Sequence, residues 1–401
     1  MRQYPKLKRP ASSLRKKPAS LVFKKPAAMR KVPYVPYVRH GMKTSKARPE
    51  QSHWKRSLVD LFAVGDKKII DILKEDKLLP EWKGKSCPRC AKGVLGPLKK
   101  YLYKGWRHRC SQNKCQCYIA PHSYHPLFSS SSSRAMSLQM QASILFALTC
   151  GCKEVHIHKL FDKNHKAIER LSCSLDHIRK LFVERTEKSI VFGTGAEWMD
   201  VEADEVDISK ALQEDPVDST KPVEWEQWAG VVMRGFPNTL VLKRLSPKMT
   251  KKRAPGPGAI RKTDWRPIAG KLISGRKVIL HSDGARSYKL RLPGVLHDAA
   301  IHKKKKVMVK GKMTWVNPKY SMIHKHTTPE GDAVYVKTGT QIIDRFWGFL
   351  RQHLQNRPKT PKSTILRNRI RSAQYMYWYR TKDLWLVTGE TLAYLRDHGV
   401  Q

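Results

Sequence analysis

The chain has 401 residues, with 79 Lys+Arg against 33 Asp+Glu and a formal net charge of +46. An excess on that scale argues against an ordinary small-molecule enzyme and makes a polyanion, nucleic acid above all, the expected partner. No apolar run approaches the ~20 residues that cross a bilayer, and the N-terminus has no apolar signal core. A soluble, basic, intracellular protein of two or three domains is expected.

Residues 1–50 hold fifteen Lys+Arg and one acid, Glu50. Lys8-Arg9-Pro10-Ala11-Ser12, Lys16-Lys17-Pro18-Ala19-Ser20 and Lys24-Lys25-Pro26-Ala27-Ala28 recur every eight residues. Proline blocks regular structure and like charges repel, so 1–50 reads as a disordered tail. Such a tail either coats DNA phosphates or acts as an import signal or solubilising arm. Beyond it, 64 basic residues still face 32 acidic ones. The folded part is therefore basic in its own right.

Residues 51–128 come next. The spacing of Leu58, Leu61, Phe62, Ile69, Ile70 and Leu73 predicts two short helices, with Asp66 as an N-cap. A cysteine cluster follows: Cys87-x2-Cys90, then Cys110-x4-Cys115-x-Cys117. In an intracellular chain, thiols gathered this way point to metal rather than disulfides. Four soft ligands on two short loops suit tetrahedral Zn²⁺ in a structural zinc ribbon. Cys87, Cys90 and Cys110 are three of the ligands. The fourth is Cys115 or Cys117, and Cys115 is preferred because Cys117-Tyr118-Ile119 reads as an outgoing strand.

A serine run at 129–133 reads as a flexible link. Residues 134–190 read as helical with a turn at Gly151, either a helix-turn-helix or a plain helical spacer. From Trp198 the texture changes to strands, at 199–208, 223–234, 239–245 and 277–283, with a basic Pro/Gly loop at 246–267. Helices return at 341–354 and 364–379. Tyr375, Tyr377, Trp378, Tyr379 and Trp385 read as helix core rather than a base-stacking platform. Residues 195–390 are thus an α/β domain, a mixed sheet flanked by helices.

Eleven of the acids fall within 197–227. On a strand, Asp200, Glu202 and Asp204 share a face. Carboxylates gathered this way repel unless a cation neutralises them, which is how Mg²⁺ sites for phosphoryl transfer are made. Asp283 ends an apolar strand before Gly284, and Asp344 shares a helix face with Arg351, seven residues on. Lys251, Lys252 and Arg253 in the loop, and Lys303, Lys304, Lys305 and Lys306 on a hairpin with Lys310 and Lys312, are phosphate contacts in kind.

Val201-Glu202-Ala203-Asp204-Glu205, His281-Ser282-Asp283-Gly284-Ala285-Arg286-Ser287-Tyr288 and Ile343-Asp344-Arg345-Phe346-Trp347-Gly348-Phe349-Leu350-Arg351 resemble the three blocks of ISXO-like insertion-sequence transposases, whose eukaryotic relatives are the Merlin elements. The resemblance spans roughly residues 54–390. It implies a zinc ribbon and helical segment ahead of an RNase H-like DDE domain, with Asp204, Asp283 and Asp344 holding a Mg²⁺ or Mn²⁺ pair. It also implies Arg351 at the position of a family Lys, and His302 near a family His. Asp344 stands where the family usually has Glu, with Glu330 and Asp332 as the nearest substitutes. The implied activity is metal-dependent cleavage and strand transfer of double-stranded DNA, by a homodimer or larger assembly. The site of action would be the nucleus of a eukaryote, or otherwise the cytoplasm and nucleoid. The alternatives are a domesticated, inactive DNA- or chromatin-binding protein and an RNA-binding nuclear factor.

Overall fold

The computed structural model describes residues 34–42, 53–129, 136–300, 304–309, 311–317 and 321–399. Most of the expected tail, most of the serine link, His302, Lys303 and Lys310 lie outside the described residues.

Helices α1 (Leu58–Phe62) and α2 (Asp66–Glu75) open the described chain after the segment 34–42. Ser57 caps α1 in a reciprocal capping box with Asp60. Gly65, not Asp66, is the N-cap of α2. Asp66 lies one position inside, where its charge still complements the helix dipole. Strands β1 (Lys99–Tyr101), β2 (Gly105–Arg109) and β3 (Tyr118–Ile119) make a three-stranded sheet around the cysteines. Helices α3 (Leu138–Thr149), α4 (Glu154–Phe161) and α5 (His165–Thr186) follow, with Gly151 at φ +84° turning the chain. The second half of α5 is buried along Leu171, Leu175, Ile178, Phe182 and Val183, so that half is a core spine and no exposed reading helix.

The main sheet is built from β4 (Met199–Leu212), β5 (Val223–Met233), β6 (Phe236–Arg244), β7 (Lys248–Thr250), β8 (Val278–Asp283) and β9 (Val295–Ala300), with α6 (Lys262–Leu272) between β7 and β8. Its path is β6-β5-β4-β8-β9, with β7 pairing β5. The β4–β5, β5–β6 and β5–β7 pairs are antiparallel; β4–β8 and β8–β9 are parallel. The expected loop at 246–267 is therefore partly ordered, since β7 and the first half of α6 fall inside it. Arg261 and Asp264 form an ion pair at the start of α6, and Trp265 is fully buried.

Two hairpins follow, β10 (Lys305–Val309) with β11 (Lys312–Val316), and β12 (Ile323–Thr327) with β13 (Ala333–Lys337). Helices α7 (Gln341–His353), α8 (Thr364–Trp378) and α9 (Leu384–Asp397) close the chain. Tyr375, Tyr377, Trp378 and Trp385 are buried, as expected of helix core.

Strand alternation divides the sheet into two faces. Val201, Ala203, Val231, Val278 and Leu280 pack with Trp265 and Tyr288 on one. Val206, Trp228 and Val232 meet Ile343, Phe346 and Trp347 of α7 on the other. Gly230 is required there: a Cβ would come within 2.7 Å of Ile343 and 2.8 Å of Trp347. A third core joins the ends of the chain, with Leu61, Ile69 and Leu73 packed with Ile144 and Trp385. Trp385 Nε1 donates to Asp76 Oδ2 at 2.9 Å. The helices before the cysteine module and the last helix of the chain thus share one core, because the short pair α1 and α2 cannot bury its apolar face alone.

Candidate functional site

Asp204 and Asp283 are brought together by strand register. Glu202 pairs His281 in the parallel β4–β8 ladder, so two residues on, Asp204 stands beside Asp283. Helix α7 crosses this face of the sheet and supplies Asp344 in its first turn. The Asp204 carboxyl feels the other two. Burial first, then the charges of Glu205, Asp344 and Asp283, push the Asp204 carboxyl up to about 8. Trp347 Nε1 donates to Asp204 Oδ2 at 2.9 Å, Ala285 N–H to Asp283 Oδ1 at 2.9 Å, and Thr340 Oγ1 to Asp344 Oδ2 at 3.1 Å.

The site is a solvent-open cleft of about 450 Å³ lined by Asp204, Glu205, Asp207, Gln227, Asp283 and the loop residues Pro255, Gly256 and Gly258. Glu205 is held by Tyr288 Oη at 2.5 Å and the Ile260 N–H at 2.9 Å, yet burial still raises its carboxyl above the usual range. Burial raises Asp207 as well, with Gln227, Lys248 and Arg351 acting in the opposite direction. Lys248 and Arg351 only partly offset the cost of gathering these carboxylates, and a divalent cation would offset more of it. Asp204, Glu205, Asp207 and Asp283 offer the hard oxygen donors that a divalent cation takes, while Asp344 is not among the residues that line the cleft.

Glu202, on the same face, sets the position of α7. Its Oε2 accepts the Ile342 and Ile343 N–H groups at 2.8 and 3.0 Å, which are among the unpaired donors of the helix N-terminus. Its Oε1 receives Arg234 Nε at 2.7 Å and Tyr37 Oη at 2.6 Å. Arg234 also donates to the carbonyls of Lys337 and Gly339 at 2.6 and 2.5 Å. The residues at 35–42 lie inside the expected tail but are packed: Val35 and Val38 are buried, and Arg39 pairs with Asp200 at 2.6 Å. This stretch departs from the Lys/Pro repeats, and its apolar and aromatic side chains find a surface on the folded part.

Cys87, Cys90, Cys110 and Cys115 form a set whose Sγ atoms all lie within 4.8 Å of one another. Gly93 N–H and Gln112 N–H donate to the sulfurs of Cys90 and Cys110, each at 3.4 Å. A Cβ on Gly93 would stand 2.3 Å from the Cys110 sulfur, so only glycine permits that approach. Burial disfavours the Cys87 thiolate, but backbone donors at Cys90 and Arg89 and the neighbouring thiols outweigh it and bring that thiol down to about 6. The four-cysteine set can hold a metal such as zinc. Cys117 lies against it, 3.3 Å from Cys87, while its carbonyl accepts from Cys110 N–H at 3.0 Å as the chain leaves into β3.

The remaining sequence candidates scatter. Lys251, Lys252 and Arg253 are exposed on the loop whose next residues line the acidic cleft. Lys304 and Lys306 are exposed at and within β10, where Lys306 covers Trp315, and the backbone of Lys305 pairs with Val316. Glu330 pairs with Lys277, which precedes β8, whereas Asp283 ends it, so neither Glu330 nor its neighbour Asp332 reaches the cleft. Glu205, Asp207, Tyr288 and Trp347 belong to the site but were not singled out from the sequence. The first two lie in the same acidic run, whose density was the available signal. No helix among the described residues is long and apolar enough to cross a membrane. No family model, curated protein or solved structure matches the chain.

Proposed function

We propose that the acidic cleft is a two-metal phosphoryl-transfer site and that the protein is a DNA transposase of the DDE type, with an RNase H-like domain behind a zinc ribbon. The observation that carries this reading is the convergence of Asp204, Asp283 and Asp344 from two neighbouring strands and the C-terminal helix, close enough for the latter two to raise Asp204. That is the arrangement the transposase resemblance implies. The mixed order, three antiparallel strands followed by two parallel ones, supports the same reading.

When bound, the metal pair supplies Lewis acidity to activate water or a DNA 3′-hydroxyl and to stabilise the leaving oxygen. The chain's own residues do the rest. Asp204, Asp283 and Asp344 hold the ions. Trp347 orients the Asp204 carboxylate, and Glu202 fixes the helix that carries Asp344. Arg351 and the loop cations Lys251, Lys252 and Arg253 draw duplex DNA toward the cleft.

Calorimetric titration of Mg²⁺ into the full chain tests the reading, with supercoiled DNA cleavage as the second readout. Saturable binding and cleavage in the wild type, both lost in Asp283→Asn, are expected. Absence of metal binding in the wild type, with DNA present, would overturn the enzymatic reading. It would leave a DNA- or chromatin-binding protein that keeps the fold.

A further inference from the structure

We propose that Asp298, His324 and His326 form a further metal site, for a divalent first-row transition ion of the zinc or iron type. The site fastens the β12–β13 hairpin to the edge of the main sheet. It is separate from the four cysteines and from the acidic cleft, and it stands whether or not that cleft acts on DNA.

Three ligand atoms converge on one point. Asp298 Oδ1 lies 2.6 Å from His324 Nδ1 and 3.4 Å from His326 Nε2. All three lie within 4.8 Å of one another. The topology explains the convergence. Asp298 sits on β9, the edge strand of the sheet. His324 and His326 alternate on β12 and so project from one face of the hairpin.

The carboxylate is prepared for the role. Asp298 has no exposed side-chain surface, and its other oxygen is taken by His281 Nδ1 at 2.7 Å. His281 is itself fully buried, and its Nε2 meets Asp200 Oδ1 at 2.8 Å. Arg39 completes the relay on Asp200 at 2.6 Å. A carboxylate oriented from behind by imidazole is the outer-shell support that metal ligands require. Two imidazoles and one carboxylate favour zinc, iron, copper or nickel over magnesium, and three protein ligands leave coordination positions open. Solvent reaches them, since His324 is 35% exposed and His326 lines a cleft of about 470 Å³.

The test uses the full chain with the cysteine set loaded with zinc and with Mg²⁺ in excess to occupy the acidic cleft. Co²⁺ is then titrated and followed by visible absorption, and bound zinc is counted per chain. One further equivalent of Co²⁺ or Zn²⁺ is expected, with a spectrum lacking thiolate-to-cobalt charge transfer. The double substitution His324→Ala/His326→Ala should weaken that uptake at least tenfold and leave the first zinc in place. No further uptake by the wild type, uptake with a thiolate spectrum, or equal uptake in the double variant would each overturn the proposal. The wild-type stoichiometry and spectrum decide it even if the variant does not fold.

Discussion

At Asp204, burial and the neighbouring carboxylates favour the protonated carboxyl. They push it up to about 8, well above the 3.8 of an ordinary aspartate. Between those two values the folded state therefore binds more protons than the unfolded one, and stability falls as pH rises across the window. Thermal melts without metal should show stability declining from about pH 4 to pH 8. The substitution Asp204→Asn should flatten the decline and stabilise the metal-free protein at pH 8 by about 1–2 kcal/mol, well below what the full shift would give. Saturating Mg²⁺ should remove most of the decline in the wild type, since a cation holds the carboxylate ionised at every pH in the window. A melt series with the same slope in both variants would show that Asp204 is not the group concerned.

Among the elements, α7 depends on one buried ion pair. Glu202 and Arg234 are 0% and 1% exposed and 2.7 Å apart, and between them they bind the helix N-terminus, the end of β13 and the 35–42 segment. Removing one partner of a buried pair strands the other, so Glu202→Ala should lose about 3–5 kcal/mol in denaturant unfolding. In the same variant Mg²⁺ affinity should fall, because Asp344 rides on α7. The cysteine module has a small core of its own, Cys87, Leu95, Cys110, Cys117 and Ile119. Chelation, or Cys90→Ser, should expose 82–120 to limited proteolysis while leaving the helical and main-sheet circular dichroism largely intact. Strands β4, β5 and β8 and helices α7 and α8 were legible in the sequence, because each carries its period or apolar run through its own length. Helix α9 and the β12–β13 hairpin were not. Leu384, Trp385, Leu392 and Leu395 are buried only through packing with other elements, and nothing in the local spacing of His324 and His326 pairs them with Asp298 on a distant strand.

For the molecule as a whole, charge is the dominant property. The net +46 is unevenly spread: Lys251, Lys252 and Arg253 stand on a loop that runs into an acidic cleft. Fluorescence anisotropy with duplex DNA at a series of salt concentrations should give a steep, linear fall of log affinity with log salt. Replacing those three cations with alanine should reduce the slope by about 2–3, at roughly 0.9 per phosphate contact, irrespective of DNA sequence. An unchanged slope would remove the loop from the DNA path.

What the sequence determined by itself were properties carried by neighbours in the chain: the basic character, the cysteine knuckles, the alternation that puts Asp200, Glu202 and Asp204 on one strand face, and the helical face shared by Asp344 and Arg351. Local periodicity and spacing are enough to set these. The resemblance named Asp204, Asp283 and Asp344, but how they approach one another is tertiary, because the parallel register of β4 with β8 and the seating of α7 on Gly230 depend on contacts between distant segments. Tertiary structure also decided that Glu202 anchors a helix, that residues 35–42 pack on the folded part, and that Asp298 meets two histidines. Each of these pairs a buried charge with a partner far along the chain, and nothing in the spacing of either segment encodes that meeting.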